Sequence, residues 1–213
     1  MDVESIVTKI DFRKAFKPLY NPPANKFVEV DVPQMQFVKV DGEGDPNTAP
    51  AYRTAVEWLY GVSFAMKFAA KAALGKDYVV PPLEGLWWAD DPGSFVTREK
   101  HQWIWTMMIF VPEFVTRDIF DGAVAKTGKK SGAPPQSLRL ELCHEGLSLQ
   151  MLHIGSYDDE GPALARLHDE IMPDKKMDFN GPHHEIYLSD PRKTDPSRLK
   201  TILRQPVKII DIL

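Results

Sequence analysis

The chain carries a single cysteine, Cys143, among its 213 residues. One thiol can form neither an internal disulfide nor a thiolate metal cluster, which points to a reducing, cytoplasmic setting. Excess charge is scarce as well. The 26 basic and 30 acidic side chains leave a net charge of −4, which argues against a general electrostatic grip on nucleic acid. Glycine and proline, 13 and 18, fall short of a low-complexity composition, so the prolines should mark turns and element ends. The longest apolar-rich stretch, Ala55 to Leu74, is broken by Glu57, Lys67 and Lys71 and is no membrane span. Met1 to Lys17 contains no apolar core of a secretory signal. A cytoplasmic protein is expected, with no membrane partner and no direct nucleic-acid contact.

What is present is an ordinary globular composition, 43% hydrophobic and 26% charged. A chain of this length buries roughly 70% of its unfolded surface without a covalent or metal staple. Residues 1–25 are polar and broken by Pro18, Pro22 and Pro23, and read as an N-terminal arm ahead of a single domain over 26–213. From Phe27 to Val40 the pattern alternates, Val28, Val30 and Val32 against Glu29 and Asp31, which predicts a half-buried strand interrupted at Pro33. Thr48 and Pro50 start a helix over about 51–74, and Gly75 stops it. Strands are expected near 83–89 and 101–111, joined by an Asp90-Asp91-Pro92-Gly93 turn, and a helix from about Pro112 to Lys126. Lys126 to Pro135 looks like a linker. Strands near 137–143 and 147–154, a helix over about 162–172, and strands at 183–188 and 207–212 complete the order. Arg192, Lys193, Arg198, Lys200, Arg204 and Lys208 read as a solvated helix face and loop.

A weak repeat runs through this order. Strand, Gly42, acidic turn and helix are echoed by strand, Gly155, the turn Asp158-Asp159-Glu160-Gly161-Pro162 and helix. Two strand–helix–strand–strand units, about 26–125 and 136–213, would lie side by side as one α+β domain with a groove between them.

The segment His183-His184-Glu185-Ile186-Tyr187-Leu188 carries the strongest chemistry. On a strand, His183, Glu185 and Tyr187 share one face while Ile186 and Leu188 share the other. With Ile186 and Leu188 turned to the core, Glu185 sits beside a phenol facing either a groove or plain solvent. Aromatic density is the second signal. Trp87, Trp88, Trp103 and Trp105 fall on two neighbouring strands, and Trp103, Trp105 and Met107 share a face. Adjacent Trp87 and Trp88 cannot both enter one core, so at least one lines a cleft or an interface; the competing reading makes all four core or dimer contacts. A carboxylate near such a cage suits a cationic or planar aromatic guest.

Other motifs fail on spacing. Gly122 to Lys130 superficially resembles a phosphate loop, but it is one residue too long and has Lys130 where Ser or Thr must reach magnesium. Asp174, Asp178, Asn180 and Glu185 match calcium-loop positions, yet Phe179 replaces the required glycine. His183 and His184 alternate faces and cannot share a metal. Cys143-His144 reads as a strand end.

Four segments together resemble the GyrI-like small-molecule-binding proteins in their standalone form. They are Val79 to Trp88, Trp103-Ile104-Trp105, Met151 to Glu160, and His183 to Pro191. The resemblance implies the two-repeat α+β fold with a ligand groove, and a glutamate matching Glu185 at its floor. Around it the resemblance places Tyr157, Tyr187, Trp87, Trp88 and Trp103; Trp105, Met107 and His183 complete the candidate set. Many relatives join the module to a DNA-binding domain, for which about 25 leading residues leave no room here. Some standalone relatives hydrolyse cyclopropane-bearing DNA-alkylating compounds. The expectation is a cofactor- and metal-independent hydrolase, monomeric or homodimeric, with Glu185 as base and Tyr187 or Tyr157 as oxyanion donor. The alternative is a non-catalytic protein that sequesters cationic aromatic drugs. The family name alone suggests contact with gyrase.

Overall fold

The computed structural model describes residues 8–91 and 93–210. Its strands are β1 (Lys9–Ile10), β2 (Val28–Val32), β3 (Met35–Glu43), β4 (Asp77–Tyr78), β5 (Leu83–Trp88), β6 (Ile104–Phe110), β7 (Arg139–Cys143), β8 (Gly146–Ile154), β9 (Met177–Phe179), β10 (His183–Tyr187) and β11 (Lys200–Ile209). Short β1 and β4 pair with each other; the other nine form one antiparallel sheet in the order β2-β8-β11-β10-β5-β6-β3-β7, with β9 beside the far end of β11.

That order contains the repeat. β3, the long helix Pro50–Leu74, β5 and β6 form one unit; β8, the helical segment 161–174, β10 and β11 form the other. In each, the strand after the helix lies innermost, and β5 meets β10 antiparallel at the centre of the sheet. β2 and β3 stand toward opposite edges, yet only Pro33 and Gln34 join them. Such a link reaches roughly 11 Å. The sheet therefore curls until its edges approach, and β7 and β8, linked by His144 and Glu145, close the same gap.

Curling gives the sheet an inner and an outer face. The long helix forms on a stripe of Trp58, Leu59, Val62, Met66 and Ala70, begins at Pro50 and ends where Gly75 takes φ 63°. A second helix, Arg117–Ser131, packs on it through Phe120, Ala123 and Thr127. Together they cover the outer face of one half. Leu167 and Met172, from 161–174, cover the other half with Leu149, Met151 and Leu203. The arm fills the inner face: Leu19 and Tyr20 pack with Phe37, Met108, Phe110, Ile186 and Ile202.

Several boundaries differ from expectation. The second helix starts after Thr116, whose hydroxyl accepts from the Ile119 amide, because residues 112–115 close a turn of their own. It then runs through the linker-like stretch to Ser131, and so the phosphate-loop look-alike is helical. The link between β5 and β6 is no tight turn: it holds a short helix, Gly93–Val96, and a single turn, Lys100–Gln102, so the strand starts at Ile104. Pro92 of the expected turn lies outside the described residues, as do positions 211–212 of the expected last strand. That strand begins at Lys200, which turns part of the basic segment into a central sheet strand with Arg204 fully inside. Among the described residues no helix is long and apolar enough to cross a membrane.

Candidate functional site

Register assigns the faces. Glu185 lies opposite Gly85 and Leu203, and His183 opposite Trp87, so His183, Glu185, Tyr187, Gly85 and Trp87 point outward into the strip between the two helical layers. Trp87 Nε1 donates to Tyr187 Oη at 2.9 Å. Gly85 makes that contact possible. A Cβ there would sit 2.8 Å from Trp87 Nε1 and 3.1 Å from Tyr187 Oη. Gly85→Ala is expected to part the two rings, shift the tryptophan emission and cost about 1–3 kcal/mol in a denaturant titration. An unchanged emission maximum and unchanged stability would contradict this packing.

Aromatic rings climb the wall on the first-unit side. Tyr52, from the long helix, stacks on Trp87 at 6.3 Å; Trp103 meets Trp87 edge-on at 5.9 Å and stacks on Phe95 at 5.0 Å. On the other side, Tyr157 meets Tyr187 edge-on at 5.8 Å. Arg98 and Lys100 lie over Trp103, and both pair with Asp158, so the 89–103 and 155–160 segments are tied together.

Three candidates fall elsewhere. Trp88 pairs with Ile104 and points to the face opposite Trp87, following the alternation of any strand. Trp105 does share the face of Trp87, but it is fully buried, lying across Gly42 with its Nε1 donating to the Gly44 carbonyl at 3.3 Å. Met107 is likewise sealed beneath the long helix as core. The structure thus places Trp88 on the other face of the sheet and Trp105 and Met107 in the core.

The sequence reading missed Glu160. It stands just before the helical segment 161–174, is only 4% exposed, and its Oε1 has no hydrogen-bond partner. Burial, with the carboxylate of Glu185 in front of it, raises its pKa to about 10 despite the opposing pull of Arg98. Two carboxyls that share one site cannot both ionise cheaply, so the pair holds a proton at neutral pH. Burial, and then Glu185, also push the phenols up, Tyr157 to about 12 and both Tyr52 and Tyr187 well above the ordinary value. Every phenol around Glu185 thus keeps its proton. The His183 ring lies 3.6 Å from Glu185, and neither of its nitrogens has a hydrogen-bond partner.

The inner face carries a second polar cluster, also missed. His184 sets Nε2 2.9 Å from Glu84 and Nδ1 2.8 Å from Glu145. Carboxylates only accept, so both ring nitrogens must donate and the imidazole is a cation. Arg204 binds the second oxygen of Glu145 at 3.1 Å, Gln150 at 3.0 Å and the Leu19 carbonyl at 2.7 Å. Tyr20, from the arm, donates to Glu84 at 2.9 Å. Two cations balance two anions, which is what permits charges to be buried. Burial alone would raise Glu145, but His184 and Arg204 bring it down to about 2; burial would lower His184, and the carboxylates outweigh it and hold it above its ordinary value.

Among the described residues no three His, Cys, Asp or Glu side chains are placed to hold a metal. Cys143 is half-buried, and that burial raises its thiol pKa, the opposite of an activated nucleophile.

A curled antiparallel sheet, helices on its outer face and a carboxyl pair among rings between them define an α+β small-molecule-binding module. The chain belongs to the GyrI-like family: the GyrI-like small molecule binding domain matches residues 26–208. It is similar to an uncharacterized conserved protein from Listeria innocua, 37% identical with a TM-score of 0.85, over 94% of this chain and 100% of that one. A hydrolase from Listeria innocua is 36% identical with a TM-score of 0.81 over the same shares. The C-terminal domain of EcmrR, 13% identical with a TM-score of 0.53 over 87% of this chain and 98% of that one, shares the fold. No curated protein matches.

Proposed function

We propose that the protein binds planar aromatic or amphipathic toxic compounds over Glu185 and hydrolyses cyclopropane-bearing DNA-alkylating compounds, protecting the cell by adding water. The observation that carries this reading is the placement of Glu185. Its side chain keeps 15% exposure on the sheet, beside Trp87, Tyr187 and Tyr157, which supports a role for it toward a guest. The similar Listeria protein described as a hydrolase supports water as the second reactant.

In this scheme the guest stacks against the half-buried Trp103 and Tyr52 rings, which rest on the buried Trp87. Glu185 accepts a proton from a water, whose oxygen bonds to the strained ring carbon. The ring C–C bond breaks, and its electron pair passes through the conjugated ring onto the dienone oxygen, which becomes phenolic. Tyr187 already accepts from Trp87 and faces Glu185, so its part is to orient the base; Tyr157, still protonated, stabilises the oxygen.

The test is mass spectrometry with tryptophan fluorescence on a cyclopropyl-dienone compound. Wild type should quench and yield a product heavier by one water, and Glu185→Gln should quench but lower turnover by about a hundredfold or more. The reading is wrong if Glu185→Gln turns the compound over at the wild-type rate. Quenching with the compound recovered intact would favour the second reading, a binder of cationic aromatics that uses Glu185 as counter-charge.

A further inference from the structure

Two carboxyls carried by different elements of the second unit meet at the site, and the scheme above uses only one. Glu160 is carried by the turn that opens the second unit's helix, whereas Glu185 stands on the central strand β10. Glu160 is buried and its Oε1 has no donor, an arrangement that is costly for an ionised carboxyl. We propose that Glu160 is the second acid–base group of this site, sharing one proton with Glu185 and donating it to the substrate oxygen as Glu185 takes a proton from water. The proposal rests on the hydrolase reading and adds to it the source of the proton.

The step balances over one turnover. The attacking water gives its hydroxyl to carbon and its proton to Glu185. The substrate oxygen, gaining the electron pair of the broken C–C bond, takes the proton of Glu160. The proton on Glu185 then crosses to Glu160, and the pair returns to its starting state with one proton between its members. Net consumption is one water, and no oxidant, reductant or outside acid enters.

The surroundings favour such a pair. Glu160 feels Glu185 and Tyr187 from β10, Tyr157 from its own turn, and Arg98 from the 89–103 segment; Tyr52 from the long helix and His183 from β10 stand around Glu185. Arg98 is the fixed cation in this set. It favours an ionised carboxyl, and burial with Glu185 opposes it. The balance leaves the proton on Glu160 in the resting protein, where it can be given up once a substrate oxygen provides an acceptor.

Infrared difference spectroscopy between wild type and Glu160→Gln reads the pair directly in the ligand-free protein. The expected result at neutral pH is a neutral carboxylic acid band in wild type that Glu160→Gln removes and Glu160→Asp keeps. Hydrolysis by Glu160→Gln should fall by about a hundredfold or more and lose the alkaline fall-off of wild type, while fluorescence quenching persists. Absence of the band, or a band that survives Glu160→Gln, overturns the shared proton. Turnover by Glu160→Gln that follows wild type at every pH overturns the donor role. Wild-type protein that shows the band but forms no product ends the donor role together with the hydrolase reading, while the shared proton stands.

Discussion

Arg204→Ala should lower the unfolding free energy by about 3–5 kcal/mol, the cost of leaving a buried ion network one cation short. The guanidinium touches Glu145, Gln150 and the Leu19 carbonyl at once, so its loss also loosens the arm. A pH signature separates this from simple cavity formation. Glu145 is held near 2 against an ordinary 4.5, so its stabilisation is present above 4.5 and disappears as pH falls toward 2. That term alone is on the order of 3 kcal/mol. His184 acts in the opposite sense: its raised pKa stabilises below 6.5, and the contribution is lost as pH climbs through the folded value. Wild type should thus resist acid well, and Arg204→Ala should begin to unfold at a higher pH because Glu145 has lost one of its two cations. Denaturant titrations at several pH values check both statements; equal acid limbs would show that Arg204 does not hold Glu145 ionised.

Glu160→Gln should make the protein more stable at neutral pH. A carboxyl raised from 4.5 to about 10 in the folded state binds its proton more tightly there than in the unfolded chain. The stability linked to that proton is intact below 4.5 and declines as pH rises toward 10. By neutral pH the decline amounts to about 3 kcal/mol, reduced by any relaxation around the pair. Glutamine has the same shape, carries no charge and can donate to Glu185 as the protonated acid does. The variant should therefore equal wild type near pH 4, exceed it near pH 7 and exceed it further near pH 9. A constant difference across that range would place the effect outside titration. Such an exchange of stability for activity is what the donor role proposed for Glu160 implies.

The features legible in the sequence were those set by near neighbours. Alternation along His183 to Tyr187 sorts those side chains onto faces, and Pro50 and Gly75 bracket the long helix, because two-residue and helical periods are local properties. The inner network was invisible for the converse reason. Glu145 meets His184 across 39 positions and Arg204 reaches Leu19 across 185, and charges in a strand or hairpin normally face water. Only the curl of the sheet turns them inward. Glu160 was hidden by its company: in the run Asp158-Asp159-Glu160 all three read as one acidic turn, although only the last is buried. For the tryptophans, the alternation of Trp87 and Trp88 was readable, but not which of them meets the helices. Trp105 shares the right face and is still lost to the core, since the long helix covers that part of the strand first.

The meeting of β5 and β10 has a geometric consequence. Two similar halves joined by an antiparallel strand pair are related by an approximate dyad that passes through this pair, where Glu185 stands opposite Gly85. Beside them Tyr187, on one strand, is hydrogen-bonded to Trp87, on the other. A perfectly symmetric strand pair would offer the same side chains from both sides. Here Gly85 sets no side chain against Glu185, and a phenol answers an indole. The strand pair is thereby polar, with a front and a back, and the guest proposed above would meet different chemistry at its two ends.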